Sequence, residues 1–155
     1  MLRISKLTDY GTVVLAHLAA SRSERVSANE VAAATGLGLP TVSKLLKTLA
    51  RSGLVASTRG AQGGYQLARD AASISAADVI DALEGPVSIT ECSAHDSHCG
   101  LEATCSVGNA WQRINVAIRR ALTEITLADL LRNHLPTPRF EFAGTPINVE
   151  SAKHK

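Results

Sequence analysis

The residues with the most chemistry to offer are Cys92, Cys99 and Cys105, the only three cysteines in the chain. All three fall within residues 91–105, ECSAHDSHCGLEATC, with six residues between the first pair and five between the second. His95, His98, Glu91, Asp96 and Glu102 share the stretch. No apolar periodicity runs through it, so it reads as an exposed loop. Thiolates are soft ligands that suit iron–sulfur clusters, zinc or copper(I). Three of them on one short loop can fill three positions of a single site.

Other readings of the same residues stay open at this point. Buried structural cysteines sit in apolar runs, and these do not. An odd number of cysteines and the lack of a signal-peptide pattern speak against a structural disulfide. A redox switch using two of the thiols is one alternative. Zinc held by three cysteines and His95 or His98 is another, although the paired two-residue spacing usual for zinc is missing. Spacing alone does not choose the metal.

The loop needs elements to hold it, and the charge distribution says what else they do. Residues 1–69 carry nine Lys or Arg and three acidic residues, a net of +6, whereas residues 70–155 carry seven and eleven, a net of −4. Residues 31–69 contain five basic side chains and no acidic one. Such a segment is an electrostatic footprint for a polyanion. At 155 residues the chain has the length of one domain, or of a small domain with an added arm. No apolar run is long enough to cross a membrane, so a cytoplasmic location is expected.

Helical spacing of Leu7, Tyr10, Val14 and Leu18 predicts a first helix over residues 6–20, with Asp9 in its first turn, where the helix dipole favours a carboxylate. Ser27 and Glu30 form a capping-box pattern for a second helix that stops at Gly36. Pro40 is expected at the first position of a third helix, whose inner face is Val42, Leu45, Leu46 and Leu49. Thr41, Ser43, Lys44, Lys47 and Arg51 lie on its remaining surface. Two helices joined by a four-residue turn, the second basic outside, predict a helix-turn-helix. Residues 54–58 and 65–68 read as two short strands joined by RGAQGG, a hairpin with a glycine-rich tip and Arg59 at its edge. A winged helix uses such a hairpin beside its recognition helix. The glycines match neither nucleotide-loop pattern, so a phosphate cradle is the weaker alternative.

Ser75 opens a fourth helix, with Ile74 and Val79 placed as a hydrophobic staple, and Gly85-Pro86 ends it. After the cysteine loop a long amphipathic helix is expected over residues 107–124. Trp111, Ile114, Ile118, Leu122 and Ile125 form its apolar stripe. The stripe exceeds what a small domain needs for itself, which makes a matching helix of a second chain the expected partner. Thr126 caps a last short helix over residues 127–131. The tail, residues 133–155, has three prolines and little periodicity, and is expected to be disordered or loosely attached.

These parts, in this order over roughly residues 1–131, resemble a family of bacterial iron–sulfur transcription regulators that includes IscR and the nitric-oxide sensor NsrR. The RGAQGGY wing and the three-cysteine loop together carry the resemblance, which is nearest to regulators of the SUF iron–sulfur assembly system. It implies a homodimer crossing through the long helices, a winged-helix head on each side, and iron ligation by Cys92, Cys99 and Cys105. IscR-type members have a histidine ligand three residues after the third cysteine, where this chain has Gly108. NsrR-type members use an aspartate near the start of the first helix, donated by the other subunit, and Asp9 stands at the matching place. His95 and His98 remain local alternatives, and the cluster can be 2Fe–2S or 4Fe–4S.

The sequence therefore predicts a mainly α fold with a small β-hairpin wing. Residues 1–85 form a winged-helix DNA-binding domain, 86–106 the cluster-binding loop, and 107–132 the dimerisation helix and short terminal helix. The expected function is a non-enzymatic, dimeric regulator that binds a double-stranded DNA operator under the control of an iron–sulfur cluster. Thr41, Ser43, Lys44, Lys47, Arg51 and Arg59 are the expected DNA contacts, and Trp111, Ile114, Ile118 and Leu122 the dimer interface. A zinc- or thiol-based redox regulator is the nearest rival, and an iron–sulfur electron carrier the rival from another class.

Overall fold

The computed structural model of the protein describes residues 4–21, 25–60, 63–90, 105, 107–132, 140–142 and 145–147. Helix α1 (Lys6–Ala20) begins where the Ser5 hydroxyl accepts hydrogen bonds from the Leu7 and Thr8 amides. Helix α2 (Ala28–Thr35) begins at the Ser27–Glu30 capping box and ends at Gly36, whose φ of 71° is left-handed. Helix α3 (Leu39–Arg51) starts one residue before Pro40, so the proline takes the second helical position. Either place costs the helix nothing, because the first amides have no intrahelical partner.

Strands β1 (Val55–Thr58) and β2 (Gly64–Leu67) pair antiparallel, with Val55 opposite Leu67 and Thr58 opposite Gly64. Val26 adds a one-residue third rung through two backbone hydrogen bonds with Tyr65, at 3.0 and 2.9 Å. A 3-10 turn at Ala71–Ser73 leads into helix α4 (Ala76–Leu83), which opens at the Ser75–Asp78 capping box.

One core joins these elements. Val14, Leu15 and Leu18 of α1, Val31 of α2, the four expected residues of α3, Ile74 and Val79 are all buried in one cluster. Ile74 and Val79, at the two staple positions around the Ser75 cap, are both buried in it. Truncating a fully buried side chain such as Leu45 to alanine removes about 2–5 kcal/mol of stability. Gly11 lets the Leu83 side chain of α4 pack close against the backbone of α1. A methyl group built there would stand 2.3 Å from Leu83 Cδ1.

Helix α5 (Gly108–Glu124) lies outside this core and has no buried residue. It is fastened to α4 instead. The amide of Ala76 donates to the carbonyl of Ile125 at 2.8 Å, and the amide of Leu127 donates to the carbonyl of Ile74 at 2.7 Å. Thr126 and Asp129 form a third capping box, opening helix α6 (Leu127–Leu130). Leu127 reaches the core and is fully buried. In the carboxy-terminal arm the sequence predicts no regular structure. The arm nevertheless contains two three-residue strands, β3 (Phe140–Phe142) and β4 (Thr145–Ile147), paired antiparallel. Strands this short leave little periodic trace in a sequence.

Candidate functional site

The basic surface is built by α3 and the hairpin. With Val42, Leu45, Leu46 and Leu49 locked into the core, helical geometry turns Lys44, Lys47 and Arg51 outward, and all three are exposed. Thr41 and Ser43 flank them, half-buried. Arg59 is exposed where β1 ends. Among the described residues no ion pair engages Lys44, Lys47, Arg51 or Arg59. Arg69, by contrast, is held by Asp78 at 3.0 Å. Burial raises the Asp78 carboxyl, but its hydrogen bonds with Ser75 and the Arg69 charge outweigh that and leave it below its ordinary value.

The hairpin glycines have a structural reason. A methyl group on Gly63 would stand 2.3 Å from the Thr58 carbonyl oxygen and 2.9 Å from that of Gly60. One on Gly64 would stand 3.0 Å from the Val26 carbonyl oxygen. Both glycines let backbone pack on backbone, which is what a tight wing requires.

Asp9 lies in the first turn of α1 and is exposed. It stands on the wall of an open groove of about 750 Å³ between α1, α4 and the end of α5, lined also by Ile4, Val79, Ile80, Leu122 and Leu130. At the same end of α1, the amide of Ser5 and the hydroxyl of Thr8 donate to the Glu84 carboxylate. These bonds, that of Thr8 foremost, hold Glu84 below its usual range. Sequence reasoning missed Glu84, because nothing local links position 84 to positions 5 and 8.

Of the expected metal ligands, Cys92, Cys99, His95 and His98 lie outside the described residues. Cys105 is a free, half-buried cysteine. A methyl group on Gly108 would sit 3.7 Å from Cys105 Cβ and 3.8 Å from its sulfur. The side chain of any other residue at 108 would therefore start in contact with Cys105, and glycine places none there. Among the described residues no three His, Cys, Asp or Glu side chains gather into a metal site. Of the three loop cysteines only Cys105 is among the described residues, and its thiol is a soft donor of the kind that iron–sulfur clusters take.

Along α5 the apolar stripe divides. Trp111 and Ile114 are 40% and 44% exposed. Ile118 and Leu122 are half-buried and line a second groove with Ile4 and Ile80 of their own chain.

A helix-turn-helix with a paired hairpin beside its basic second helix defines a winged-helix regulator. The profile of the Rrf2 family, iron-dependent transcriptional regulators, matches residues 4–133, and the chain belongs to that family. It is 34% identical to Protein rrf2 of Nitratidesulfovibrio vulgaris over 89% of this chain and 93% of that protein. Its fold is similar to CymR, the global cysteine regulator of B. subtilis, with a TM-score of 0.67 and 33% identity, covering 86% of this chain and 99% of that one. It is also similar to T. potens IscR, with a TM-score of 0.63 and 32% identity, covering 85% and 88%. These relatives are regulators and not enzymes. No described helix is long and apolar enough to cross a membrane.

Proposed function

We propose that this Rrf2-family regulator is a cytoplasmic homodimer whose affinity for a double-stranded operator is set by an iron–sulfur cluster on Cys92, Cys99 and Cys105. The observation that carries the reading is the position of residues 91–105 in the chain, between α4 and α5. This segment follows α4, which packs against α1 and α3, and precedes α5, which lies outside the core. Whatever fixes the loop therefore bears on the joint between the DNA-reading head and the helix that meets the second chain. A bound cluster supplies an oxidant-sensitive metal centre at that joint.

Lys44, Lys47 and Arg51, unpaired among the described residues, supply positive charge to phosphates, Thr41 and Ser43 supply short polar groups at the groove floor, and Arg59 extends the contact from the wing. Trp111 and Ile114 are the anchors for the second chain, while Ile118 and Leu122 are shared between that chain and α4. Asp9 of the partner subunit is the fourth ligand, replacing the histidine that Gly108 cannot provide. A carboxylate oxygen is a harder donor than thiolate and the weakest member of the set. If Asp9 held the cluster, loss of that bond would free the first turn of α1, and α1 shares a core with α3. His95 and His98 are the local alternatives to Asp9.

The similarity to CymR and the free Cys105 thiol favour one second reading, a zinc- or thiol-based redox regulator without an iron–sulfur cluster. Anaerobic purification followed by a visible spectrum and iron and sulfide analysis separates the two. Charge-transfer bands with matched iron and sulfide, abolished by Cys105→Ala, support the cluster. A colourless protein that binds zinc or oxidises to a disulfide supports the rival.

A further inference from the structure

Glu84 joins two parts of the chain that no sequence pattern connects. Its Oε1 accepts from the Ser5 amide at 3.1 Å and from the Thr8 hydroxyl. Ser5 is the N-cap of α1, and its own hydroxyl accepts from Leu7 and Thr8 at 3.2 and 3.4 Å. The next residue, Asp9, donates its amide to the Ser5 carbonyl at 3.2 Å. One carboxylate thus gathers donors on both sides of the cap that sets the direction of the Asp9 turn. Among the described residues, these are the only side-chain hydrogen bonds from that turn to another element. A cap of this kind stabilises a helix start, and the carboxylate also favours the positive end of α1. Capping alone does not account for its address. Glu84 is the last residue before Gly85, with φ of 92°, and Pro86, where the chain leaves α4 for the cysteine loop.

Resting on the reading of Asp9 as the fourth ligand, we propose that Glu84 is its positioning residue. Glu84 holds the first turn of α1 in the orientation at which Asp9 reaches the other subunit's loop, and it ties that turn to the base of its own chain's loop. Among the described residues, the open groove beside Asp9 leaves this turn without other support on that side. The role is one of geometry, since Glu84 itself touches Ser5 and Thr8 and not the ligand set.

The test uses the full-length protein with Glu84→Ala, Glu84→Gln and Asp9→Ala. In the metal-free protein, amide exchange over residues 5–9 should run on the order of fivefold faster in Glu84→Ala, with helix content and dimer mass unchanged. After anaerobic reconstitution, its visible circular dichroism should move to that of Asp9→Ala, and the double variant should show no further change. Glu84→Gln keeps an acceptor oxygen and should fall between wild type and Glu84→Ala. An unaltered exchange rate overturns the clamp. Faster exchange with a wild-type spectrum, while Asp9→Ala shifts it, overturns the positioning role alone. A wild-type spectrum in Asp9→Ala overturns the ligand reading itself, and the proposal with it.

Discussion

Arg119 reaches from α5 to α4 and donates two hydrogen bonds to the Asp81 carboxylate, at 3.1 and 2.5 Å. With the side chains 44% and 27% exposed, the pair adds at most about 1 kcal/mol to stability. Its consequence is mechanical. The backbone rungs at Ala76–Ile125 and Ile74–Leu127 fasten the end of α5 to the start of α4, and Arg119 adds a second fastening two turns away. Two fastenings fix an angle where one permits rotation. Arg119→Ala should shift Tm by only a few degrees yet shrink the difference in operator affinity between cluster-loaded and empty protein. Titration of both forms with the operator reads this directly. An undiminished difference would remove the pair from the path.

The basic face makes a prediction about salt. Lys47→Ala should lower affinity for all DNA sequences alike and flatten the slope of log affinity against log salt by about 0.9 if one phosphate is lost. Arg69→Ala should leave the slope unchanged, because Asp78 already holds that guanidinium. Filter-binding or anisotropy titrations at four or five salt concentrations suffice. Equal slopes for Lys47→Ala and wild type would take Lys47 off the contact surface.

Gly63→Ala should damage the wing and little else. The three atoms nearest the added methyl, Thr58 O, Arg59 C and Gly60 O, are all backbone and cannot rotate away. The tip must open at a local cost of roughly 1–3 kcal/mol, displacing Arg59. Weakened operator binding with the α1–α4 core still protected from amide exchange is the expected result.

Dimerisation is best tested at Ile114. It is 44% exposed and absent from the two grooves that α5 shares with α4. Ile114→Glu should give monomers with an intact head and weak operator affinity, since a two-fold site is read by two heads at fixed spacing. The same change at Ile118 would be ambiguous, because that side chain also leans on its own α4. A dimer of Ile114→Glu in sedimentation would place the interface elsewhere.

The carboxylate caps predict an acid-sensitive head. Hydrogen bonds from Ser27 hold Glu30, those from Thr8 and Ser5 hold Glu84, and those from Thr126 hold Asp129, each below its ordinary value. A group whose folded pKa is depressed lends stability above its unfolded pKa and loses it as pH falls through the folded value. Metal-free protein should therefore lose stability progressively below about pH 4.5, the ordinary value for glutamate. Glu84→Gln should make that part of the curve shallower. Denaturant midpoints between pH 3 and 7 check the sign; a midpoint that rises on acidification would contradict it.

Much of this fold was legible because its signals are local. Ser27 with Glu30, the inner face of α3 and the glycine-rich tip before Tyr65 each lie within a few residues, where capping, periodicity and turn chemistry operate. The staple of Ile74 and Val79 is of the same kind. What escaped the sequence is set by long-range packing. Glu84 meets Ser5 and Thr8 across more than seventy positions, and Gly11 reads as an ordinary helix residue until Leu83 is seen against it. Periodicity found the stripe on α5 but could not divide it. Ile118 and Leu122 turn to their own α4 because Arg119 and the Thr126 corner draw that half of the helix inward.

The central claim is that cluster state sets operator affinity, and one preparation can test it. Anaerobically purified protein is titrated with operator DNA, stripped of iron with a chelator under reducing conditions, and titrated again at the same salt. Couplings between two sites commonly amount to about 1–3 kcal/mol, or roughly 5–150-fold in affinity. A change in that range, absent from Cys105→Ala carried through the same steps, is the expected result. Equal affinities for loaded and stripped wild-type protein would contradict the account.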